Sequence, residues 1–309
     1  MNEPERSYID IIDLGFGPEE APSCWIADGD RFYASGKIKK SKSLPSGQYT
    51  VEYDSSIRGY VVTKVAVNSD DLIEINDQTQ KIIKESKDFF DKIPEFKKAG
   101  FLPKRGILLH GVPGQGKTST CTIIANNIIK NNGIVFSVTN LNAFENTVSF
   151  LRTDFRSVEK DRPIIVIIED IDIIADVAES QLTNFIDGQS SVAPAIFIAT
   201  TNRVDELPDS LLRPSRFDWV VEMTNPSEDN IRTFFEQKGI VDQELEDFVK
   251  ASNGMTMADV KELFVTVKLL GGSIEDTVDR LKGISKVAAS TVKKSKSLKA
   301  TKSVGFGKH

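Results

Sequence analysis

The sequence predicts an α/β fold for the middle of this 309-residue chain, with a parallel sheet covered by helices on both faces. Short apolar runs that read as strands alternate there with longer segments whose apolar residues recur at helical spacing. The run Ile164–Ile168 is apolar at every position, as expected of a strand buried on both faces. Such alternation favours crossover connections, which make neighbouring strands parallel and place the helices outside the sheet.

Changes in pattern along the chain predict four segments. Before the α/β part, short β-type runs lie between clusters of Gly, Pro, Ser and Asp; they are Cys24–Ile26, Gln48–Val51 and Tyr60–Val62. After residue 222 the pattern becomes helical, and the end of the chain is rich in Lys, Ser and Thr. The predicted segments are a small β-rich N-terminal domain (1–70), the α/β core (71–222), a small all-helical lid (223–285) and a basic disordered tail (286–309).

Within the core, each element follows from its spacing and its stop signals. An amphipathic helix begins at Asp77, and we expect Pro94 to stop it. The elements that follow are a strand at 105–109, a helix at 117–130, a strand at 134–138, a helix around 142–160, a strand at 164–168, a helix around 180–186 and a strand at 195–199. After Val220 the β-type runs stop, and residues 227–284 read as helices.

A glycine-rich segment joins the first core strand to the first core helix. It consists of Gly111, Val112, Pro113, Gly114, Gln115, Gly116, Lys117 and Thr118, followed by Ser119. This is a P-loop, whose backbone N–H groups cradle phosphates while the lysine reaches the β- and γ-phosphates and the threonine hydroxyl binds Mg²⁺. The core is therefore predicted to be a P-loop NTPase sheet that binds ATP or GTP.

Polar side chains follow two further strands. Glu169 and Asp170 end the buried run Ile164–Ile168, and Asn202 follows the strand at 195–199. Hydrolysis of a phosphoanhydride needs one carboxylate near the metal ion and one that orients the attacking water. The pair therefore predicts a Mg²⁺ site formed with Thr118, at the sheet edge where α/β proteins bind ligands.

A fourth motif, Leu211-Leu212-Arg213-Pro214-Ser215-Arg216-Phe217-Asp218, makes residues 71–282 resemble the AAA family of ring ATPases. The resemblance implies ATP as the nucleotide and a homo-oligomeric, hexameric ring. It also implies that Asn202 helps to place the attacking water. Arg213 and Arg216 would be arginine fingers that reach the γ-phosphate bound by a neighbouring subunit. Their permanent positive charge suits this role, because negative charge develops on the phosphate oxygens.

The order of the two acids departs from the usual Asp-Glu of this family. A similar inversion occurs in the mitochondrial AAA translocase that moves a Rieske iron–sulfur protein, and Leu182–Gly188 also resembles that branch. The position of Glu169 predicts that it binds Mg²⁺, and the position of Asp170 predicts that it orients the attacking water, although the two roles can be exchanged. Because Asp170 is one methylene shorter than glutamate, we expect slow hydrolysis. We do not infer the transport function of that translocase for this chain, because its sequence lacks the membrane helix that the translocase carries.

The loop after the second core strand leaves two interpretations of Phe150. Members of the family that thread polypeptide carry an aromatic residue, an apolar residue and glycine there, whereas this chain has Phe150 and Leu151 without glycine. Phe150 is either a pore residue or a core residue of the following helix.

Composition narrows the functional classes. The net charge of −6 combines an acidic body with a basic end, since residues 291–309 carry six lysines and no acidic residue. No apolar run approaches ~18 residues. The sequence has only two histidines, which argues against a metal site built from histidines. Cys121 is predicted to be a buried free thiol. We expect a cytoplasmic enzyme that remodels a protein client bound through the N-terminal domain. The alternatives are a nucleic-acid motor or loader using the basic tail, and a slow nucleotide-gated assembly switch.

Overall fold

The computed structural model describes residues 24–28, 31–35, 43–55, 58–66, 77–187 and 192–284. The chain forms two compact units, Met1–Thr224 and Asn225–His309. The predicted basic tail, residues 286–309, lies outside the described residues, as do residues 1–23 of the expected N-terminal domain.

A nine-stranded sheet organises the first unit. Its strands are β1 (Cys24–Asp28), β2 (Arg31–Ser35), β3 (Gly47–Asp54), β4 (Gly59–Val65), β5 (Lys104–His110), β6 (Ile134–Val138), β7 (Ile164–Ile168), β8 (Ala195–Thr201) and β9 (Trp219–Glu222). Their order is β1-β2-β4-β3-β6-β7-β8-β5-β9. Every pairing from β3 to β9 across this order is parallel, whereas β1, β2, β4 and β3 pair antiparallel. The α/β fold predicted from the sequence is confirmed.

The core lies on both faces of the sheet, as the strand β7 illustrates. Ile164, Val166 and Ile168 belong to one buried cluster, and Ile165 and Ile167 belong to the other. Successive side chains of a strand point to opposite faces, so an uninterrupted apolar strand fits only a sheet that is covered twice.

The described strands of the expected β-rich domain are part of this same sheet. Tyr49 in β3 is in parallel register with Phe136 in β6, and Tyr49, Val51 and Val62 are buried in the same cluster as β7. These strands therefore extend the core sheet and do not form a sheet of their own. The sequence predicts the short β-type runs but not their pairing with β6.

The helices of the first unit differ from the prediction at three places. They are α1 (Asp77–Asp91), α2 (Ile93–Lys98), α3 (Lys117–Lys130), α4 (Leu141–Phe150), a π-helical segment (Leu151–Phe155), α5 (Arg156–Val158) and α6 (Ile171–Ile186). Pro94 does not simply stop α1; it lies in the first turn of α2, where a missing N–H does no harm. The single helix expected around 142–160 is interrupted by the π-helical segment. Helix α6 begins nine residues earlier than expected.

The second unit is helical within its described residues. Its helices are α7 (Glu228–Gln237), α8 (Asp242–Ala251), α9 (Met257–Phe264), a π-helical segment (Val265–Leu269) and α10 (274–284). Ser227 and Thr256 cap α7 and α9 with reciprocal hydrogen bonds to the third residue of each helix. Phe235 and Phe248 pack with ring centroids 4.8 Å apart. Among the described residues, no helix is long and apolar enough to cross a membrane.

Candidate functional site

Three loops meet at the carboxyl ends of β7, β8 and β5, which are neighbours in this order in the sheet. The loop after β5 is the predicted P-loop, the loop after β7 carries Glu169 and Asp170, and Asn202 follows β8 directly. Because parallel strands end at one edge, the fold gathers side chains that are up to about 90 residues apart in sequence. All three predicted site segments therefore share one edge.

The glycines of the P-loop satisfy conformational and steric requirements. Gly114 and Gly116 have φ values of 87° and 86°, in the left-handed region that side chains with a Cβ rarely adopt. A Cβ added at Gly111 would lie 2.3 Å from Gln115 Oε1 and 2.5 Å from the Met223 carbonyl oxygen. The loop therefore has the backbone that a phosphate-binding segment requires, and α3 begins at Lys117, directly after these glycines.

Lys117 is the candidate phosphate-binding lysine, and its side chain is folded onto the P-loop. Its Nζ donates hydrogen bonds to the carbonyl oxygens of Gly111 (2.8 Å) and Val112 (3.0 Å). The residue is only 8% exposed. Burial lowers the pKa of its ammonium group, and the negative charge of Asp170 opposes that shift. These two contacts hold the ammonium group at the loop.

The two acids differ in environment. Glu169 is half-buried; burial first, and then the charge of Asp170, raises the pKa of its carboxyl group, whereas a hydrogen bond with Thr118 lowers it. Asp170 is exposed and has φ 46° and ψ 53°, a left-handed conformation at a residue with a side chain. Glu169 thus faces the first turn of α3, and Asp170 faces the open edge.

Asn202 connects the end of β8 to Asp170. Its Nδ2 donates to Asp170 Oδ1 over 3.3 Å, and the backbone N–H of Asp170 donates to Thr200 Oγ1 over 3.1 Å. The amide and the carboxylate therefore lie side by side at the sheet edge, the arrangement required of two groups that orient one water molecule.

The donor set fits Mg²⁺ bound together with a nucleotide. Thr118, Glu169 and Asp170 offer only oxygen ligands, which Mg²⁺ prefers. The described residues contain no group of three or more His, Cys, Asp or Glu side chains that could hold a metal ion. Few protein ligands are expected where substrate phosphates and water complete the coordination of Mg²⁺.

Comparison with known families agrees with this geometry. A family model described as "ATPase family associated with various cellular activities (AAA)" matches residues 107–225, from the first strand of the site to the end of the first unit. The chain contains an AAA ATPase domain. The match includes all three site loops and the arginine-containing segment that follows them.

Several curated proteins resemble part of the chain. A proteasome-activating nucleotidase of Methanococcus maripaludis is 28% identical over 221 residues, 64% of this chain and 53% of that protein. Protein CdcH of Halobacterium salinarum is 30% identical over 57% of this chain and 25% of its own length. The zinc metalloprotease FtsH of Ureaplasma parvum is 28% identical over 68% of this chain and 31% of its own. The chain thus spans about half the length, or less, of these relatives.

The two predicted finger arginines of the AAA domain lie in different surroundings. Arg213 is exposed and makes no ion pair within the described part of the chain. Arg216 donates from Nε (3.0 Å) and Nη2 (2.7 Å) to Asp187 Oδ2, and from Nη1 to the Ser210 carbonyl oxygen. The hydrogen bond from Arg216 lowers the pKa of Asp187. Arg216 is therefore held by its own chain.

The segment with these arginines lies against the start of β5. A Cβ at Gly106 would come 1.7 Å from the Arg216 carbonyl oxygen, and the Gly106 N–H donates to Asp218 Oδ2 over 3.1 Å. Gly111 lies five positions after Gly106, which is roughly 16 Å of strand. Arg216 is therefore anchored at the opposite end of β5 from the P-loop of its own chain.

Of the two interpretations of Phe150, the structure favours the core residue. Phe150 is completely buried, with ring centroids 5.9 Å from Phe136 and 6.0 Å from Tyr60. It is therefore not exposed in a pore. Cys121 is a buried free thiol, as expected, and burial followed by the charge of Glu169 raises its pKa.

Sequence reasoning missed the side chains that support the site. Neither Asp172 nor Arg203 is among the predicted site residues, yet the two form an ion pair. The available signal was a charged residue shortly after each candidate: Asp172 lies two residues after Asp170, and Arg203 directly follows Asn202.

Proposed function

We propose that this protein hydrolyses ATP to ADP and phosphate with Mg²⁺ as cofactor. The observation that carries the proposal is the convergence of Lys117, the acid pair and Asn202 at one sheet edge within an AAA domain. Lys117 binds the phosphates, and Asp170 and Asn202 orient the attacking water. Thr118 and Glu169 would hold Mg²⁺, which when bound neutralises charge on the phosphate oxygens.

We propose further that the catalytic site is completed by a second copy of the chain. The arginine-containing segment is fixed at the far end of β5 from its own P-loop, which supports action on a neighbour. Arg213 is exposed and is the better placed of the two for this role; Arg216 must first leave Asp187. A closed ring, hexameric by resemblance to the AAA family, would satisfy every site in turn.

Remodelling of a protein partner is the coupled task that we favour. One relative is named for activating a proteasome and another is named as an ATP-dependent protease, so both names refer to work on proteins. These relatives are covered only in part, and their partners and protease activity are not transferred. We place the client at the β-rich segment, residues 1–70, because this segment lies outside residues 107–225, which match the AAA family model.

A subunit-mixing experiment tests both hydrolysis and the shared site. We expect Lys117→Ala and Arg213→Ala each to lose ATP turnover, the latter by about 10³-fold, the range measured for arginine fingers. When mixed, an Arg213→Ala subunit that retains its P-loop can receive Arg213 from a Lys117→Ala neighbour. Mixing should therefore restore a measurable part of the phosphate release.

Arg152→Ala is the matched control, because Arg152 is also an exposed arginine but lies on the π-helical segment. It should retain wild-type turnover. Full activity of Arg213→Ala would refute its role as a finger, and the same experiment on Arg216→Ala tests the second arginine. A mixture as inactive as its components would argue against a site shared between copies.

Capture from native lysate tests the coupled task. Asp170→Asn should bind ATP and client but stall before hydrolysis, so a protein enriched with this variant only when ATP is present supports remodelling. Lys117→Ala, which cannot bind ATP, serves as the control bait. Enrichment of nuclease-sensitive nucleic acid instead would favour the alternative of a nucleic-acid motor or loader.

A further inference from the structure

A buried carboxylate next to the candidate site joins two of the three segments that form it. Asp172, in the first turn of α6, is only 4% exposed. Its Oδ1 accepts a hydrogen bond from Thr201 Oγ1 (2.7 Å), and its Oδ2 accepts from Arg203 Nε (2.9 Å) and Nη2. Both oxygens of Asp172 are thus bonded to residues at the end of β8.

These bonds fix the backbone on either side of Asn202. Thr201 Oγ1 accepts the backbone N–H of Arg203 over 2.9 Å, which closes a tight turn with Asn202 at its centre. Arg203 also donates from Nη1 to Glu206 Oε2 over 2.7 Å. Asn202 is therefore held between two residues that are both bonded to Asp172.

The contact that this arrangement supports is weak by itself. Asn202 Nδ2 and Asp170 Oδ1 are 3.3 Å apart, beyond the usual range of a hydrogen bond from nitrogen. Asp170 also has a left-handed backbone, a conformation that persists only where surrounding structure imposes it. The position of Asn202 relative to Asp170 must therefore be set by neighbouring bonds.

An ion pair of this kind is not explained by stability alone. A buried carboxylate must be desolvated, and well-packed apolar residues often stabilise a protein as well as a buried pair does. The hydrogen bond from Arg203 to Asp172 is the main cause of the raised pKa of that arginine. What the pair adds is geometry, because a planar guanidinium fixes the direction as well as the distance of its partner.

We propose that the Asp172–Arg203 ion pair is a latch that positions Asn202 against Asp170, and so sets the rate of water attack. This role rests on the proposed ATPase function. Asp172 and Arg203 are positioning residues: they act through Asn202 and do not contact the nucleotide. Asp172 ties the start of α6 to the turn after β8, so a movement of either segment changes the distance between the amide and the carboxylate.

The test compares turnover with nucleotide binding in the full-length protein. We expect Asp172→Asn and Arg203→Gln to lower kcat about 10- to 100-fold, since a displacement of about 1 Å in a catalytic group can cost 100-fold. Affinity for a fluorescent ATP analogue with Mg²⁺ should change less than 2-fold. The double variant should be no slower than the slower single variant, because both changes open the same latch.

Glu159→Gln is the matched control. Glu159 is likewise a buried carboxylate, bonded by Arg162 Nη1 (2.7 Å) and by the Leu44 N–H (2.5 Å), but it lies away from the site loops. It should lose stability without losing kcat per folded molecule. If Asp172→Asn fails to fold, Arg203→Lys, which keeps the charge but not the planar fork, carries the test and should show an intermediate kcat.

The outcomes separate the latch from the function on which it rests. ATP turnover by the wild-type protein that is lost in Lys117→Ala supports the proposed ATPase function. If that holds, and the Asp172 and Arg203 variants keep the kcat of the wild type, only the latch is overturned. An equal fall in kcat for Glu159→Gln also overturns it, because the effect would then be general destabilisation. A wild-type chain without turnover overturns both proposals.

Discussion

At the scale of single residues, Glu169 illustrates a conflict between stability and chemistry. Its carboxyl group is half-buried beside Asp170, and both burial and the like charge raise its pKa in the folded protein. A carboxyl group with a raised folded pKa favours folding below its unfolded pKa, and this contribution is lost as the pH rises through the folded pKa. Ionised Glu169 therefore destabilises the nucleotide-free protein.

We predict that Glu169→Gln raises the free energy of unfolding of the nucleotide-free protein at pH 7 to 8. The gain should shrink as the pH falls below the ordinary pKa range of glutamate, because the carboxyl group is then protonated in both states. Urea unfolding at several pH values, without Mg²⁺, measures this dependence. Glu145→Gln, on α4, is the control; a pH-independent difference for Glu169→Gln would contradict the explanation.

At the scale of elements, helix α1 contains a defect that a single substitution can remove. Ser86 is 1% exposed, and its hydroxyl has no hydrogen-bond partner among the described residues. It lines a cavity of about 260 Å³ together with Phe89, Ile107 and Trp219. A buried hydroxyl without a partner is unfavourable, and serine is a weaker helix former than alanine.

Ser86→Ala should therefore increase the free energy of unfolding by about 1 kcal/mol. Chemical denaturation measures the change. The exposed neighbour Lys87→Ala should stay within about 0.5 kcal/mol of wild type. A loss of stability in Ser86→Ala would show that the hydroxyl has a partner, such as water in the cavity.

The helices and strands were predictable to the extent that their apolar residues are the buried ones. Strands β6 and β7 have the predicted bounds because apolar, buried residues fill β7 and all but one position of β6. The first half of α6 was missed because Ile173 and Val177 are apolar yet 56% and 68% exposed, which blurs the helical period. The parallel pairing of β3 with β6 is a long-range contact, and no local pattern specifies it.

For the candidate site, local motifs predicted the P-loop, the acid pair and Asn202. The strands that precede these three segments end at the same edge of the sheet. The ion pair between Asp172 and Arg203 joins positions 31 residues apart, and either residue alone resembles an ordinary surface charge. The resemblance to AAA ATPases likewise did not predict that Arg216 would be bonded to Asp187.

At the scale of the whole molecule, one buried guanidinium joins distant segments of the first unit. Arg156 is 7% exposed and donates to the carbonyl oxygens of Glu159, Arg162, Val192 and Pro194. Burial lowers its pKa to about 10, although Glu159 and Asp161 oppose the shift. Arg156 thereby connects the segment before β7 to the residues that lead into β8.

Arg156→Met should destabilise the first unit by about 3 kcal/mol or more, because several buried carbonyl oxygens lose their donor. Hydrogen exchange should become faster in β7 and β8, whereas helices α7 to α9, with a core of their own, should keep their protection. Arg152→Met, an exposed arginine four residues earlier, is the control. Faster exchange in both units to the same extent would show that they unfold together.

The left-handed backbone at Asp170 also restricts which amino acids this position accepts. Aspartate and asparagine enter that conformation more readily than longer side chains, because their short polar groups bond to the nearby chain. In the order Glu169-Asp170, the aspartate, which tolerates the left-handed conformation, therefore lies at the position where the backbone is left-handed. Asparagine is consequently the replacement at position 170 that this backbone tolerates best, whereas exchanging the two acids to restore the usual family order would strain the loop.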